Sequence, residues 1–455
     1  MKVNAAYSYI LFLSLVAAIG GFLFGYDTAV ISGTISEVTG QFSLGAIAQG
    51  WYVGCALLGS IIGVSIAGGL ADKYGRKKVM LLSALLFSVS AIGCALAGTF
   101  NALIVYRIIG GAGIGMVSIV SPMYISEVAP SSIRGSLVSL YQLAITVGFL
   151  GAFLMNFKLL NFAKRKLFEM DTILFKVFNE EVWRGMLGME TIPALLFFLF
   201  CLLIPESPRC LVVNIKMSKA EQVFAKLYSS AESGKQKVKA VMNQSGHIGD
   251  SNWVLLKNPE ILKPVLLGMA IAILGQFMGV NAVLYYGPSI FEQSGLSGGD
   301  ALFYQVMVGL VNVLTTILAL IIIDRIGRKK LVYFGVSGMV LSLLLISFYF
   351  YGSEIYGLPS IFLLVLFLAY IFFTAISISA VIFVLLSEMY PNKIRGMAMS
   401  IAGFSPWFLE NLGPSGTFLF FALMCFPYLY IIWKKIPETA GRSLEEIENY
   451  WLKEK

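Results

Sequence analysis

The chain has 455 residues, of which 58% are hydrophobic and only 13% are charged, about half the charged share of a soluble domain. Such a chain has too little polar surface to fold in water. Its net charge of +8, from 33 Lys and Arg against 25 Asp and Glu, belongs to the placement of basic loops beside a bilayer and does not point to nucleic acid. With one histidine, His247, in a polar stretch, zinc sites and histidine-dependent triads are excluded in practice.

Apolar runs of roughly 20 residues, enough to cross hydrocarbon, tile most of the chain. In order they fall at about 7–33, 45–70, 79–99, 101–124, 136–157 and 185–204, then 264–286, 302–323, 331–351, 360–386, 394–411 and 416–433. The first run carries Asp27 and lacks a small-residue cleavage site, so it is expected to be retained as a helix. The five cysteines lie in or at the ends of apolar runs without paired spacing, and are expected to be small core residues with no disulfide and no metal.

The runs are punctuated by repeated strings. Asp72-Lys-Tyr-Gly-Arg-Lys-Lys78 returns as Asp324-Arg-Ile-Gly-Arg-Lys-Lys330. Ser126-Glu-Val-Ala-Pro-Ser-Ser-Ile-Arg-Gly135 returns as Ser387-Glu-Met-Tyr-Pro-Asn-Lys-Ile-Arg-Gly396, and Pro205-Glu-Ser-Pro-Arg209 more loosely as Pro437-Glu-Thr-Ala-Gly-Arg442. Three pairs in one order indicate two parallel membrane halves. The expected organisation is a six-helix bundle over 1–204, a cytoplasmic linker over 205–263, a second bundle over 264–436 and a cytoplasmic tail over 437–455. Within the linker, Met217–Tyr228 reads as a short amphipathic helix with Ser218 as its N-cap and Glu221 closing a capping box. The tail segment 443–448 reads the same way. Most basic residues fall in loops that share one side, which makes that side and both termini cytoplasmic. The loop holding Lys158, Lys164, Arg165, Lys166, Lys176 and Arg184 breaks that trend.

Only 41 residues separate Gly396 from Pro437 (437 − 396). Two crossings at 1.5 Å per residue need about 40. Two short helices are therefore expected, with Gly413-Pro-Ser-Gly416 as the whole outer turn and Pro406 bending the first.

Ionisable side chains at membrane depth are costly, so each needs a partner or a function. Asp27 and Arg107 form such an expected pair, with Glu190 as a third member. The alternatives are a permanent structural salt bridge and a proton-binding site. Polar amides at membrane depth, Gln142, Gln276, Asn281 and Asn312, are suited to an uncharged polyhydroxyl ligand, and Tyr285 stands one turn after Asn281. Gly275, Gly279 and Gly287-Pro288 allow the seventh span to break.

Together these features resemble the sugar-porter branch of the major facilitator superfamily. The residues that carry the likeness are Gly21-Phe-Leu-Phe-Gly-Tyr-Asp27, both Gly-Arg-Lys loops, Tyr106-Arg-Ile-Ile-Gly-Gly111, Pro205-Glu-Ser-Pro-Arg209, Gln276-Phe-Met-Gly-Val-Asn281 with Tyr285-Tyr286, and Pro437-Glu-Thr. The resemblance, nearest to bacterial xylose and hexose–proton symporters, implies an all-α polytopic membrane protein with the major facilitator fold: two six-helix halves, twelve transmembrane helices, and a shortened helix 11–12 region. It implies secondary active transport of a monosaccharide across the inner membrane, by sugar:proton symport with alternating access. It also implies no enzyme activity, no cofactor and a monomer in the bilayer.

Under that resemblance, Asp27, Arg107 and Glu190 are the proton-coupling residues. Phe24, Gln142, Gln276, Asn281, Tyr285, Asn312 and Phe383 line the sugar. The cytoplasmic gate takes Asp72, Arg76, Glu127, Arg134, Glu206 and Arg209 from the first half. From the second it takes Asp324, Arg328, Glu388, Arg395, Glu438 and Arg442. Lys77, Lys78, Lys329 and Lys330 are accounted for by topogenic charge alone. The sequence departs from the family near Ser379-Ala380, where a Gly-Pro pair is usual, at Phe383 in place of tryptophan, and at Gly275 and Pro406 in place of glutamines. A facilitative sugar or polyol carrier and a non-transporting sensor are the competing readings.

Overall fold

The computed structural model describes residues 5–130, 133–165, 172–214, 217–228, 259–379 and 413–436, with short helical stretches between 232 and 242. All regular structure among these residues is helical. Eleven helices are long and apolar enough to cross a membrane. They coincide with eleven of the twelve expected spans, and the remaining one, 394–411, lies outside the described residues. The tail segment 443–448 and His247 also lie outside them.

The chain divides into two compact units, Met1–Gly249 and Asp250–Lys455. In the first, α1 (Ala5–Val30) ends in a 3-10 turn at Ile31–Gly33 and is followed by the short α2 (Ile35–Phe42). Then come α3 (Ala46–Tyr74), α4 (Arg76–Leu96), α5 (Phe100–Val128) and α6 (Arg134–Ala163). The sixth span is two helices in series, α7 (Val182–Gly188) and α8 (Thr191–Leu203). Two shorter helices follow, α9 (Pro208–Val213) and α10 (Met217–Tyr228). Ser218 stands inside α10, one residue past its start, and is not its N-cap. The apolar face Ala220, Val223, Phe224 and Leu227, spaced at helical period, packs this helix.

Lipid tails are as apolar as the side chains they touch, so close packing rather than water exclusion holds such a bundle together. Gly59 and Gly63 on α3 face the backbone of α5 at Ile108 and Ala112, while Gly111 and Gly115 on α5 face the backbone of α3 at Ala56 and Ser60. A methyl at any of the four would strike a carbonyl. This four-residue glycine spacing brings the two backbones together and fixes the rotation of α5, which carries Arg107.

The second unit contains α11 (Pro259–Gln276), α12 (Val280–Gln293), α13 (Gly298–Ile326), α14 (Arg328–Tyr356), α15 (Ser360–Thr374) and α16 (Gly413–Lys435). The seventh span is thus broken into α11 and α12, with Gly279 at φ 89° between them. Ser347 near the end of α14 donates to the Ser415 carbonyl at the start of α16 (2.8 Å), and Lys329 near the start of α14 reaches the Trp433 and Ile436 carbonyls (2.9 and 3.0 Å). These contacts make α14 and α16 antiparallel neighbours. Gly413–Gly416 is the first turn of α16 and not a free turn, because proline fits a helix start, where its missing N–H has no helical partner to lose.

The repeated loops share a backbone conformation. Gly75 (φ 102°, ψ 157°) joins α3 to α4 and Gly327 (φ 93°, ψ 152°) joins α13 to α14. An L side chain is strained there, so each loop needs its glycine.

Candidate functional site

Asp27 on α1 and Arg107 on α5 meet in the interior of the first unit. Arg107 Nη1 donates to Asp27 Oδ1 at 2.8 Å, and both side chains are 2% exposed. The same nitrogen lies 3.4 Å from the Asp27 carbonyl. Gly110 lets α5 approach, because a Cβ there would press on Ser90 and stand 3.5 Å from Asp27 Oδ1. Glu190, equally buried at the junction of α7 and α8, is within electrostatic reach of both residues. The Glu190 carboxyl lies within hydrogen-bond reach of Asp27, a contact two carboxyls make only when one of them carries a proton. Among the described residues, Asp27 Oδ2, Arg107 Nε and Glu190 Oε1 have no other hydrogen-bond partner. Two carboxyls and one guanidinium cannot all be balanced in a dry interior, so this cluster holds one basic charge and room for one proton.

The amides fall on both units. Gln142 on α6 and Phe24 on α1 are half-buried. On the second unit Asn312 is buried on α13, and Tyr285 is half-buried on α12. Asn281 Nδ2 donates to Gln276 Oε1 at 2.9 Å, so these two amides bridge the break between α11 and α12. Phe383 lies outside the described residues.

At the Gly75 end of the first unit, Arg76 is held between Asp72 and Glu127, each 3.1 Å from Nη2, and its Nη1 donates to the Ala71 carbonyl (3.0 Å). Glu127 also accepts the Ser207 hydroxyl. Glu206 accepts the backbone N–H of Lys77 (3.1 Å) and of Ser207 (2.9 Å), which ties the segment before α9 to the start of α4. Arg209 is exposed within electrostatic reach of Glu127, and Arg134 is exposed on the first turn of α6. Beside them, burial pushes the Cys210 thiol up, with Glu206 adding to the rise and Arg76 opposing it. In the second unit Arg328 opens α14 and is partly exposed. The Asp324 side chain and all of Glu388, Arg395, Glu438 and Arg442 lie outside the described residues.

Two of the lysines do more than set topology. Lys77 Nζ donates to the Leu202 carbonyl at the end of α8 (2.8 Å), and Lys329 does the equivalent for α16. Each neutralises the negative end of a helix in its own unit.

Sequence reasoning missed a cluster at the opposite end of the first unit. Arg184, counted among the basic residues that break the charge trend, is 5% exposed. It donates to the Ala95 and Ala97 carbonyls (3.1 and 2.6 Å), pairs with Glu181, and stacks over the Trp183 ring at 4.3 Å. Trp183 in turn gives its backbone N–H to Glu37 (2.9 Å) and its indole N–H to Gln41 (2.6 Å). Burial raises the Glu181 carboxyl, but Arg184, Gln41 and Lys176 outweigh it and hold it below its ordinary value. Arg184 thus caps the end of α4, a structural role that composition does not reveal.

A polytopic helical bundle with an ion pair sealed inside one unit, a broken helix bearing amides in the other and charged loops repeated between them is the build of a secondary membrane carrier of the major facilitator class. Comparison with known proteins agrees. The profile described as "Sugar (and other) transporter" matches residues 13–451. The arabinose-proton symporter of Bacillus subtilis (strain 168) is 35% identical, over 98% of this chain and 96% of its own length. The D-xylose transporter of Levilactobacillus brevis is 36% identical, over 96% and 94%. Among solved structures, the partially occluded inward-open xylose transporter XylE from E. coli superposes with a TM-score of 0.80 at 31% identity, covering 96% of this chain and 100% of that one. The proton:xylose symporter XylE bound to 6-bromo-6-deoxy-D-glucose gives 0.80 at 33%, covering 98% and 99%. The chain belongs to the Sugar (and other) transporter family.

Proposed function

We propose that this protein is a proton-coupled monosaccharide symporter of the cell inner membrane, multi-pass, with both termini cytoplasmic, and that it works by alternating access. The observation that carries the reading is the sealed Asp27–Arg107 pair with Glu190 beside it. A permanent structural bridge needs one acid; this cluster has two for a single base. Protonation of Asp27 cancels its attraction for Arg107, whose charge then turns to Glu190. α1 and α5 are held together differently in the two protonation states, which biases one face of the carrier over the other. Names of the relatives, which include arabinose-proton and D-xylose-proton symporters, support the same coupling.

The sugar is bound by Gln142, Gln276, Asn281 and Asn312 through uncharged hydrogen bonds, with Phe24, Tyr285 and Phe383 as aromatic walls. Asp72, Arg76, Glu127, Arg134, Glu206 and Arg209, with Asp324, Arg328, Glu388, Arg395, Glu438 and Arg442, close the cytoplasmic side and separate as it opens.

The test is uptake of labelled pentoses and hexoses into vesicles of the purified protein, with and without an imposed pH gradient. Accumulation of at least one monosaccharide that requires an acid exterior is expected. Uptake indifferent to the gradient would establish a facilitator instead, and neither uptake nor binding of any sugar in the panel would overturn the transport reading.

A further inference from the structure

The segment 280–287 carries Asn281 and Tyr285 and is bounded by two interruptions of the helix. At its start, Gly279 takes a left-handed conformation, and the Met278 carbonyl stands between α11 and α12 outside either helix. At its end, Pro288 has no N–H, so the Leu284 carbonyl four residues earlier loses its helical donor. Inside a bilayer such carbonyls must be satisfied from within the protein.

Both are satisfied by side chains of neighbouring helices. Tyr370 on α15, fully buried, donates its hydroxyl to the Met278 carbonyl at 2.6 Å. Gln305 on α13, also fully buried, places Nε2 3.2 Å from the Leu284 carbonyl and 3.3 Å from that of Val283. Gly287 is small because a Cβ there would run into the Gln305 amide. Gln305 Oε1 has no hydrogen-bond partner among the described residues. A buried amide satisfied only on its donor side costs stability, so packing alone does not explain it.

We infer that Gln305 and Tyr370 are positioning residues for substrate binding: they supply the hydrogen bonds that two breaks remove from the helix, and so fix the rotation and pitch of segment 280–287. Gln305 lies at nearly equal distance from two adjacent carbonyls, and so braces the turn of α12 that Pro288 leaves without its own hydrogen bond. The binding consequence rests on the reading of Asn281 and Tyr285 as sugar-contacting residues. The hydrogen-bond substitution itself does not.

The experiment is a double-mutant cycle in the full-length protein, using Gln305→Met and Pro288→Ala, with Tyr370→Phe as a second variant that removes a single oxygen. Pro288→Ala restores the N–H that Leu284 lacks, so it should remove most of the need for Gln305. Gln305→Met and Tyr370→Phe should each raise the KM for the transported monosaccharide roughly tenfold, the scale of one lost hydrogen bond, while changing the maximal rate less than about twofold. Gln305→Met should cost little when Pro288→Ala is already present. Amide hydrogen exchange gives a readout independent of sugar: amides of 280–293 should exchange faster in Gln305→Met, while those in the middle of α13 should not.

An equal KM penalty in both backgrounds, or unchanged exchange over 280–293, would overturn the inference. If Gln305→Met does not fold, unchanged KM and unchanged exchange in Tyr370→Phe overturn it as well. Should the parent protein transport no sugar, the exchange measurement alone decides the bracing role, and it is the sugar reading that falls.

Discussion

Arg107 grips one oxygen of Asp27 at 2.8 Å and no other basic side chain among the described residues pairs with that carboxyl, in an interior where a second acid, Glu190, lies within hydrogen-bond reach of Asp27 and shares the same cation. An arrangement short of one positive charge is stable in a dry interior only if one of the two carboxyls holds a proton; the cation, wherever it sits, can balance only one of them.

From this follows the behaviour of Asp27→Asn, which keeps the side chain's size and an oxygen for Arg107 but cannot titrate. Accumulation of sugar against its gradient should be lost, while sugar exchange across the vesicle membrane persists at a measurable rate. Flux assays run with and without a pH gradient separate the two. A variant that still concentrates sugar would remove Asp27 from the coupling mechanism.

For the amides, Gln142→Ala, Gln276→Ala and Asn281→Ala should each weaken sugar binding by roughly 1–3 kcal/mol, the cost of leaving a buried partner unpaired. Because Asn281 donates to Gln276 at 2.9 Å, the two changes should not add. Titration calorimetry on folded protein provides the check; unchanged affinity in all three moves the site elsewhere.

Charge pairs around Arg76 differ in burial, and their deletion should differ accordingly. Asp72 is 74% exposed on its side chain, so Asp72→Ala should cost no more than about 1 kcal/mol. The Glu127 side chain is only 7% exposed and also binds Ser207. Glu127→Ala should therefore cost about 3 kcal/mol, since it leaves a buried guanidinium poorly paired. Thermal unfolding of the two variants in detergent ranks them, and equal losses would contradict the assignment.

Glu37 gives the protein a pH-dependent contact. Burial pushes its carboxyl up from the ordinary value, and the backbone N–H of Trp183 only partly opposes this. The folded state then binds more protons than the unfolded one between the two pKa values. Its stabilising contribution is full below the unfolded pKa and is lost as pH rises through the folded one. Glu37→Gln keeps an acceptor for Trp183 but does not titrate. The variant should melt higher than the parent above that raised pKa, with a flatter dependence on pH, as a series of melts from about pH 4 to pH 8 will record.

The membrane spans could be read from sequence because apolar run length is set by bilayer thickness, and eleven of them appear as helices. Asp27 and Arg107 stood out for the same reason, since a charge inside such a run is conspicuous. Gln305, Tyr370, Arg184 and Lys77 did not stand out, and the cause is common to all four. Each is bound to a backbone carbonyl, which every residue possesses and no sequence marks. The one available signal for Gln305 was an amide in an apolar run beside a proline-containing helix. Ser218 illustrates the opposite error, because a residue of good capping type was placed one position inside its helix.

The matching glycines at 75 and 327, each followed two residues later by a lysine that holds the end of another helix in its own unit, have an evolutionary meaning. Each is a self-sufficient clasp, complete within one copy of an ancestral half. Duplication could preserve it unchanged while the interiors took separate trades, with two acids and a guanidinium in the first copy and, in the second, a broken helix whose two amides bridge the break. Exchanging residues 72–78 with 324–330 should accordingly be a nearly silent transplant, whereas exchanging helix interiors would mix two inherited specialisations that no longer substitute for each other.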